Sequence, residues 1–364
     1  MKVVIFGLTV SSSWGNGHAT LWRGLIAALA QRGHEVVFFE RDVPYYAEHR
    51  DLAVLPAGRL HLYPSWPDAE AAARLELQDA DVGVVTSYCP DGITATTLLA
   101  DSKARYRVFY DLDTPVTLAR LAAGESVSYI GPRLLADFDL VLSYTGGRAL
   151  DELRNALRVR RALPLYGSVD PTLHRPEPPS EAYRNDFSYL GTYAADRQST
   201  LVSFFIEPAR RLPERKFLIG GAQYPQDFPW TTNIFFARHV APPEHPAFYS
   251  SSRLTLNVTR QSMARFGWCP SGRLFEAAAC GVPIVSDAWE GLDAFFTPGR
   301  EILVARDADE VVGAIELSDA ELAQIARAAR ERTLAEHTAE QRARDFEAAI
   351  ESIARSGDSD LRVA

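Results

Sequence analysis

The chain has 364 residues, of which 47% are hydrophobic and 23% charged, and its net charge is −9 at neutral pH. That is enough sequence for two domains of ordinary size, too apolar for a disordered chain, and too acidic to favour a nucleic-acid partner. Three widely spaced cysteines (Cys89, Cys269, Cys280) support neither a disulfide framework nor a zinc knuckle, and no apolar run has the length of a membrane span, so a cytoplasmic protein is expected.

The N-terminal MKVVIFGLTV reads as a buried strand over Lys2–Gly7 rather than a signal peptide. After a polar loop, Leu21, Leu25, Ala28 and Leu29 share one helical face. Arg32-Gly33-His34 turns the chain into a second strand, Glu35–Glu40. Further strands are predicted at Val82–Ser87, Arg107–Asp111 and Leu140–Ser143. Leu163–Pro179, with five prolines, is the best linker candidate. A second alternating series follows: strand Phe187–Gly191, helix Arg197–Leu212, then strands Lys216–Gly220 and Phe235–Val240. A short helix over Pro246–Ser252 and a strand over Leu254–Val258 lead to a helix at 271–280 and a strand at Val282–Ser286. From Asp319 the chain is helical, with Phe346, Ile350 and Ile353 on one face and fraying expected after Arg355. Strand–helix alternation with apolar strands predicts an α/β protein of two Rossmann-like, doubly wound parallel sheets.

In such sheets ligands gather at the carboxyl ends of the strands, so the loops there are the site inventory. The first, SSSWGNGHAT, has Gly15 and Gly17 for close backbone approach and His18 at a helix start, where the helix dipole keeps an imidazole neutral and basic. His18 is either a catalytic base or a helix-entry residue bonded to backbone. Gly15-x-Gly17 with Glu40 also suggests a dinucleotide site, but about ten residues separate strand from helix and Thr20 stands at the third small position, so that reading is weak. Asp91 and the Asp111-Leu112-Asp113-Thr114-Pro115 loop place carboxylates after the third and fourth strands. Asp113 is either a base or the cap of the helix that begins near Pro115. The Asp-x-Asp pattern recurs at four other places in the chain, so no metal is predicted.

The richest stretch is GWCPSGRLFEAAACGVPIVSDAWEGLDAFF, Gly267–Phe296. Pro270-Ser271-Gly272 opens a helix whose free N–H groups suit a phosphate, and Glu276 lies about one and a half turns further in, within reach of ribose hydroxyls. This passage resembles the donor-binding segment of GT-B glycosyltransferases, and within them the CgeB-like (spore maturation protein) branch. SSSWGNGHAT and YLGTYAADRQ support the resemblance.

The resemblance implies two Rossmann-like domains facing across a cleft: an acceptor domain at 1–165, a donor domain at 166–340, and a helix at 341–364 that returns to the first. It implies transfer of a sugar from a UDP- or dTDP-sugar (a hexosyltransferase-type activity) to an unidentified acceptor, with no metal and no cofactor. Catalysis falls to His18 and Asp113. Donor binding falls to Gly191, Thr192, Arg197, Arg260, Ser271, Gly272, Arg273 and Glu276; Gly17, Asp91, Asp111 and Asp287 lie on the acceptor or sugar side. Arg273 has a second reading, as a structural ion pair with Glu276 or Glu301. Trp268 stands where retaining members carry a second glutamate, so retention or inversion stays open. A nucleotide-sugar epimerase on the same fold, or a non-catalytic nucleotide- or sugar-binding protein, are the alternatives.

Overall fold

A computed structural model describes residues 1–15 and 17–360. The chain divides into two compact units, Met1–Gly167 with Ala339–Ala364, and Ser168–Thr338.

The first unit is built on a parallel sheet of seven strands among the described residues: β1 (Lys2–Gly7), β2 (Glu35–Arg41), β3 (Arg59–Tyr63), β4 (Val82–Thr86), β5 (Tyr106–Asp111), β6 (Leu140–Ser143) and β7 (Ala162–Pro164). Their spatial order is β3-β2-β1-β4-β5-β6-β7. Val3 pairs with Val36 on one side and Val82 on the other. The central strands are uniformly apolar because both faces are covered, which is what a parallel sheet with crossover helices requires.

The chain leaves this unit after Gly167 and returns as the helix Ala339–Asp360. Ala343, Phe346 and Ile350 are buried there with Trp22, Leu25 and Leu29 of the helix His18–Gln31. Gly24 makes the close approach possible, since a Cβ on it would stand 3.3 Å from that of Ala339. The outer edge of the contact is polar. Arg32 grips Glu347 through Nε at 2.8 Å and Nη2 at 2.6 Å, and His34 Nε2 lies 2.6 Å from the same carboxylate.

The paired Arg32 guanidinium, outweighing the opposing effect of burial, holds the Glu347 carboxyl at about 2, below its ordinary 4.5. A carboxylate depressed in the fold adds stability above its unfolded pKa and loses it as the pH falls through the folded one. Glu347→Gln is therefore expected to cost about 1 kcal/mol at pH 7, the discounted worth of a partly solvated network. The gap in melting temperature between the two proteins should narrow as the pH drops from 5 towards 3 (~2 units through the titration). A gap that does not vary with pH would contradict this account.

The second unit repeats the plan with β8 (Asn185–Leu190), β9 (Phe217–Gly221), β10 (Ile234–Arg238), β11 (Ser252–Asn257), β12 (Ile284–Asp287) and β13 (Leu303–Ala305). The order β10-β9-β8-β11-β12-β13, with every pair parallel, is the 3-2-1-4-5-6 arrangement of a Rossmann sheet. In both units the strand order reverses once, between β1 and β4 and between β8 and β11.

Several expectations need correction. Strands β3, β7 and β13 are additional, and β7 lies inside the stretch read as a linker. The predicted helix Arg197–Leu212 is a composite: a 3-10 turn at Ala195–Arg197, then α-helix, a π-turn at Val202–Ile206, and α-helix again at Glu207–Arg211. Pro208 lacks the N–H that a regular helix would need there, and the preceding π-turn accommodates the loss. The last helix runs to Asp360, past the fraying expected at Arg355.

Candidate functional site

In the first unit the loops after β1 and β4 flank the reversal point, where an open α/β sheet leaves a crevice. The loop after β1 is shaped by the acid of the weak dinucleotide pattern. Glu40, fully buried at the end of β2, accepts hydrogen bonds from the backbone N–H groups of Val10 and Ser11 at 2.7 and 2.9 Å, from Thr9 Oγ1 at 2.9 Å and from Ser11 Oγ at 2.6 Å. Both carboxylate oxygens are thereby used within the loop. In a dinucleotide site this is the residue that would bind ribose, so the local chemistry argues against that reading as well.

His18 is the first residue of its helix and Gly17 the N-cap. Burial lowers the pKa of His18, partly opposed by the charge of Asp113, so the imidazole is neutral at physiological pH. Its ring lies 5.8 Å from that of Tyr88, centroid to centroid. Tyr88 has φ = 62°, a left-handed conformation rare for a bulky residue, at the end of β4. Burial, then the neighbouring Asp113 charge, raises its hydroxyl pKa.

Asp113 stands at the N-cap of the helix Thr114–Ala122, but its side chain makes no capping hydrogen bond. Instead its charge acts on His18 and Tyr88. Asp111 ends β5 and is fully buried; one carboxylate oxygen accepts the Asp113 N–H at 3.1 Å, whereas Oδ2 has no hydrogen-bond partner. Asp91 precedes the helix Gly92–Ala100 and pairs with Arg41 at 3.1 Å. One end of this sheet thus gathers an imidazole, a tyrosine and three carboxylates.

Burial raises the Asp111 carboxyl to about 6, with hydrogen bonds from Thr117 and the Asp113 backbone offsetting part of the shift. A group whose folded pKa is raised favours the fold at low pH, and that contribution is lost as the pH climbs through the folded value. Above pH 6 (the titration point of about 6) the buried charge burdens the fold. Asp111→Asn is expected to raise stability at pH 7.5 by about 1 kcal/mol, limited by the unpaired amide it introduces. The advantage should shrink towards pH 4.5 (~1.5 units below the folded value) in paired thermal melts. A less stable Asn variant at pH 7.5 would contradict it.

The second unit has its own cluster. Ser271 caps the helix Gly272–Ala279, its hydroxyl accepting the Arg273 N–H at 3.4 Å. Glu276 lies further along this helix, and His245 Nδ1 is 3.4 Å from its Oε2. Burial alone would raise the Glu276 carboxyl, but the hydrogen bond from His245 and the charges of His174, His245 and Arg273 bring it down to about 2.

Two arginines come from different elements, Arg197 from the 3-10 turn Ala195–Arg197 and Arg273 from the helix Gly272–Ala279. Arg197, after β8, donates from Nη1 to Tyr189 Oη at 3.1 Å, and its buried Nε has no acceptor. The Nε of Arg273 is likewise buried without an acceptor; burial works against its charged form, and the Glu276 carboxylate favours it. Arg260 is held by Asp196 at 3.0 Å.

Gly191 follows β8, with Thr192 next to it. A Cβ on Gly221, where φ is +153°, would stand 2.1 Å from the Gly191 carbonyl oxygen, and Tyr224 Oη donates to that oxygen at 2.9 Å. Asp287 ends β12 and is tied to Thr259 by the backbone N–H at 2.9 Å and Oγ1 at 3.0 Å, so it joins the loops after β11 and β12. Glu301 accepts the Thr297 N–H at 2.7 Å, and no ion pair forms between Arg273 and either glutamate among the described residues.

Residues 197–348 match the family described as "Glycosyl transferase-like". No curated protein matches the sequence at a significant level. Among solved structures, the Anabaena protein HepE in complex with UDP and glucose is similar over 97% of this chain and 100% of its own, with a TM-score of 0.66 and 14% identity. An α-glucosyltransferase in complex with UDP and a 13-mer DNA is similar over 96% and 99% of the two chains, with a TM-score of 0.67 and 12% identity. Sucrose-phosphate synthase from Thermosynechococcus elongatus is similar over all of both chains, with a TM-score of 0.62 and 14% identity.

The fold is GT-B. On that GT-B frame the sequence-derived residues fall into two sets, each inside one unit. Gly17, His18, Asp91, Asp111 and Asp113 belong to the first; Gly191, Thr192, Arg197, Arg260, Ser271, Gly272, Arg273, Glu276 and Asp287 belong to the second. The additional members are Glu40 and Tyr88 in the first unit and His174, Tyr189, Tyr224 and His245 in the second. Trp268 has φ = 48°, and its ring covers Gly291, where a Cβ would come within 2.5 Å of it.

Proposed function

We propose that this protein is a glycosyltransferase of the CgeB-like branch that moves a hexosyl group from a UDP- or dTDP-sugar to an acceptor hydroxyl, without a required metal. The observation that carries the reading is the pair of buried, acceptor-less Nε groups on Arg197 and Arg273, both within electrostatic reach of Tyr224, with Arg273 at the helix entry Ser271-Gly272 and acting on an ionised Glu276. Buried guanidinium donors without partners are costly unless an anion satisfies them, and a diphosphate does so through charge-assisted hydrogen bonds. The helix N-terminus adds its N–H groups, and Glu276 accepts from ribose hydroxyls.

Leaving-group stabilisation by the arginines and helix end, with His18 as base on the acceptor, supplies the two components that sugar transfer needs. The match over residues 197–348 and the UDP complexes of similar folds support the donor assignment. No described helix is long and apolar enough to cross a membrane, and no disulfide joins the described cysteines, which accords with the cytoplasmic enzyme proposed here.

UDP or dTDP is expected to raise the melting temperature by several degrees at saturation, since about 100-fold excess over Kd adds roughly 2.7 kcal/mol to the native state. Uridine, which lacks the phosphates, should do much less. No shift with any nucleoside diphosphate at millimolar concentration would overturn the donor assignment.

A further inference from the structure

His174, His245 and Glu276 come from three separate parts of the second unit. His174 ends the turn after Asp170, held by its N–H on the Asp170 carbonyl at 2.9 Å. His245 opens the short helix His245–Ser250, and Glu276 lies on the helix Gly272–Ala279. Their ligand-capable atoms all lie within 4.8 Å of one another. His174 is 93% buried (7% exposed), and neither of its ring nitrogens has a hydrogen-bond partner. A buried imidazole with both nitrogens idle loses solvation for nothing unless a ligand takes one of them.

We infer that these three side chains form a binding site for a divalent transition ion of the zinc class. Two imidazoles and one carboxylate are a ligand set that zinc accepts, with a fourth position left for water. Tetrahedral bonds of about 2.0–2.1 Å put ligand atoms roughly 3.4 Å apart. The His245–Glu276 pair already stands at 3.4 Å. Separations of up to 4.8 Å close to that spacing by at most about 1.4 Å of ring movement at His174, whose nitrogens have no bond to give up.

The site does not lie where a catalytic cation on a diphosphate would be needed, because its carboxylate is the one assigned to ribose. A bound ion takes Glu276 away from the nucleotide, so ion and nucleotide exclude each other. That antagonism rests on the donor reading; the ion site itself does not.

The test is titration of the full chain, stripped with a chelator, with Zn²⁺ by calorimetry and with Co²⁺ by visible absorption. One equivalent of Zn²⁺ and a tetrahedral Co²⁺ spectrum are expected. His174→Ala and His245→Ala, shown by thermal melts to be folded, should each weaken binding at least about 100-fold, since loss of a ligand exceeds the 10–100-fold cost of losing a supporting partner. Unchanged affinity in folded His174→Ala, or an octahedral Co²⁺ spectrum, would overturn the site. UDP binding is measured separately in chelator. UDP bound without any zinc site leaves the donor reading standing alone; zinc bound without UDP does the reverse. If both bind, each should weaken the other by the same factor, as linkage requires.

Discussion

Glu276→Ala is expected to weaken UDP binding by about 10–100-fold, the 1.5–3 kcal/mol typical of hydrogen bonds to a charged group. Calorimetry in the presence of chelator measures it, so that the proposed ion site does not enter. The fold should survive, because the carboxylate lies at the edge of the core and retains some exposure, 15% of its side chain. His245 and Arg273 would nevertheless lose a counter-charge, and a drop in stability of about 1 kcal/mol is expected. A variant that is folded and binds UDP as tightly as the parent would show that Glu276 does not touch the nucleotide. A variant that fails to fold would instead make the carboxylate a structural partner of the two histidines. Glu276→Gln, which keeps the shape, separates those cases.

The second large effect is on turnover. His18→Ala should lower kcat by 10²–10⁴-fold, the usual worth of a positioned general base, while UDP affinity stays the same. Loss of donor affinity in parallel would give His18 a binding role instead. The pH profile adds a readout that a structural role would not move. Asp113 raises the pKa of His18 against the effect of burial. Removing that charge in Asp113→Asn should therefore shift the acid limb of kcat/KM to lower pH. A limb that stays in place would detach the pair.

Much of the candidate site in the second unit was legible because it rests on local chemistry. The Ser271 cap, the helix behind it and Glu276 follow one another in a single segment, and short-range rules describe such segments well. The strands of the two Rossmann-like sheets were legible for the same reason, since two-sided burial leaves runs such as Val3–Phe6 and Val82–Val85. Three of the four edge strands were not, β10 being the exception. β3 is half exposed and carries Arg59 and His61, and β7 and β13 have three residues each. Pro164 made β7 look like linker, although an edge strand tolerates a proline whose missing N–H no neighbour needs.

Side chains that meet only through tertiary structure were out of reach. His174 sits in a proline-rich stretch and His245 opens a short helix, and nothing in either segment points to Glu276. Glu40 was visible only as the acid of a dinucleotide fingerprint; its actual work is to hold the loop that ends in His18. Asp113 satisfied every sequence rule for a helix cap, yet its side chain makes no capping bond, so residue preference alone could not decide between its two open readings.

The helix Ala339–Asp360 belongs to the first unit although the whole second unit is encoded before it. A ribosome therefore releases all of the second unit before the first can bury Trp22, Leu25 and Leu29 under Phe346 and Ile350. Domains commonly mature in the order in which they are synthesised. Here that order is inverted for completion: the internal unit can finish while the N-terminal one waits with an uncovered apolar flank. Nascent chains stalled before Ala339 would keep that flank uncovered, which makes synthesis of Ala339–Asp360 the checkpoint for completing the first unit.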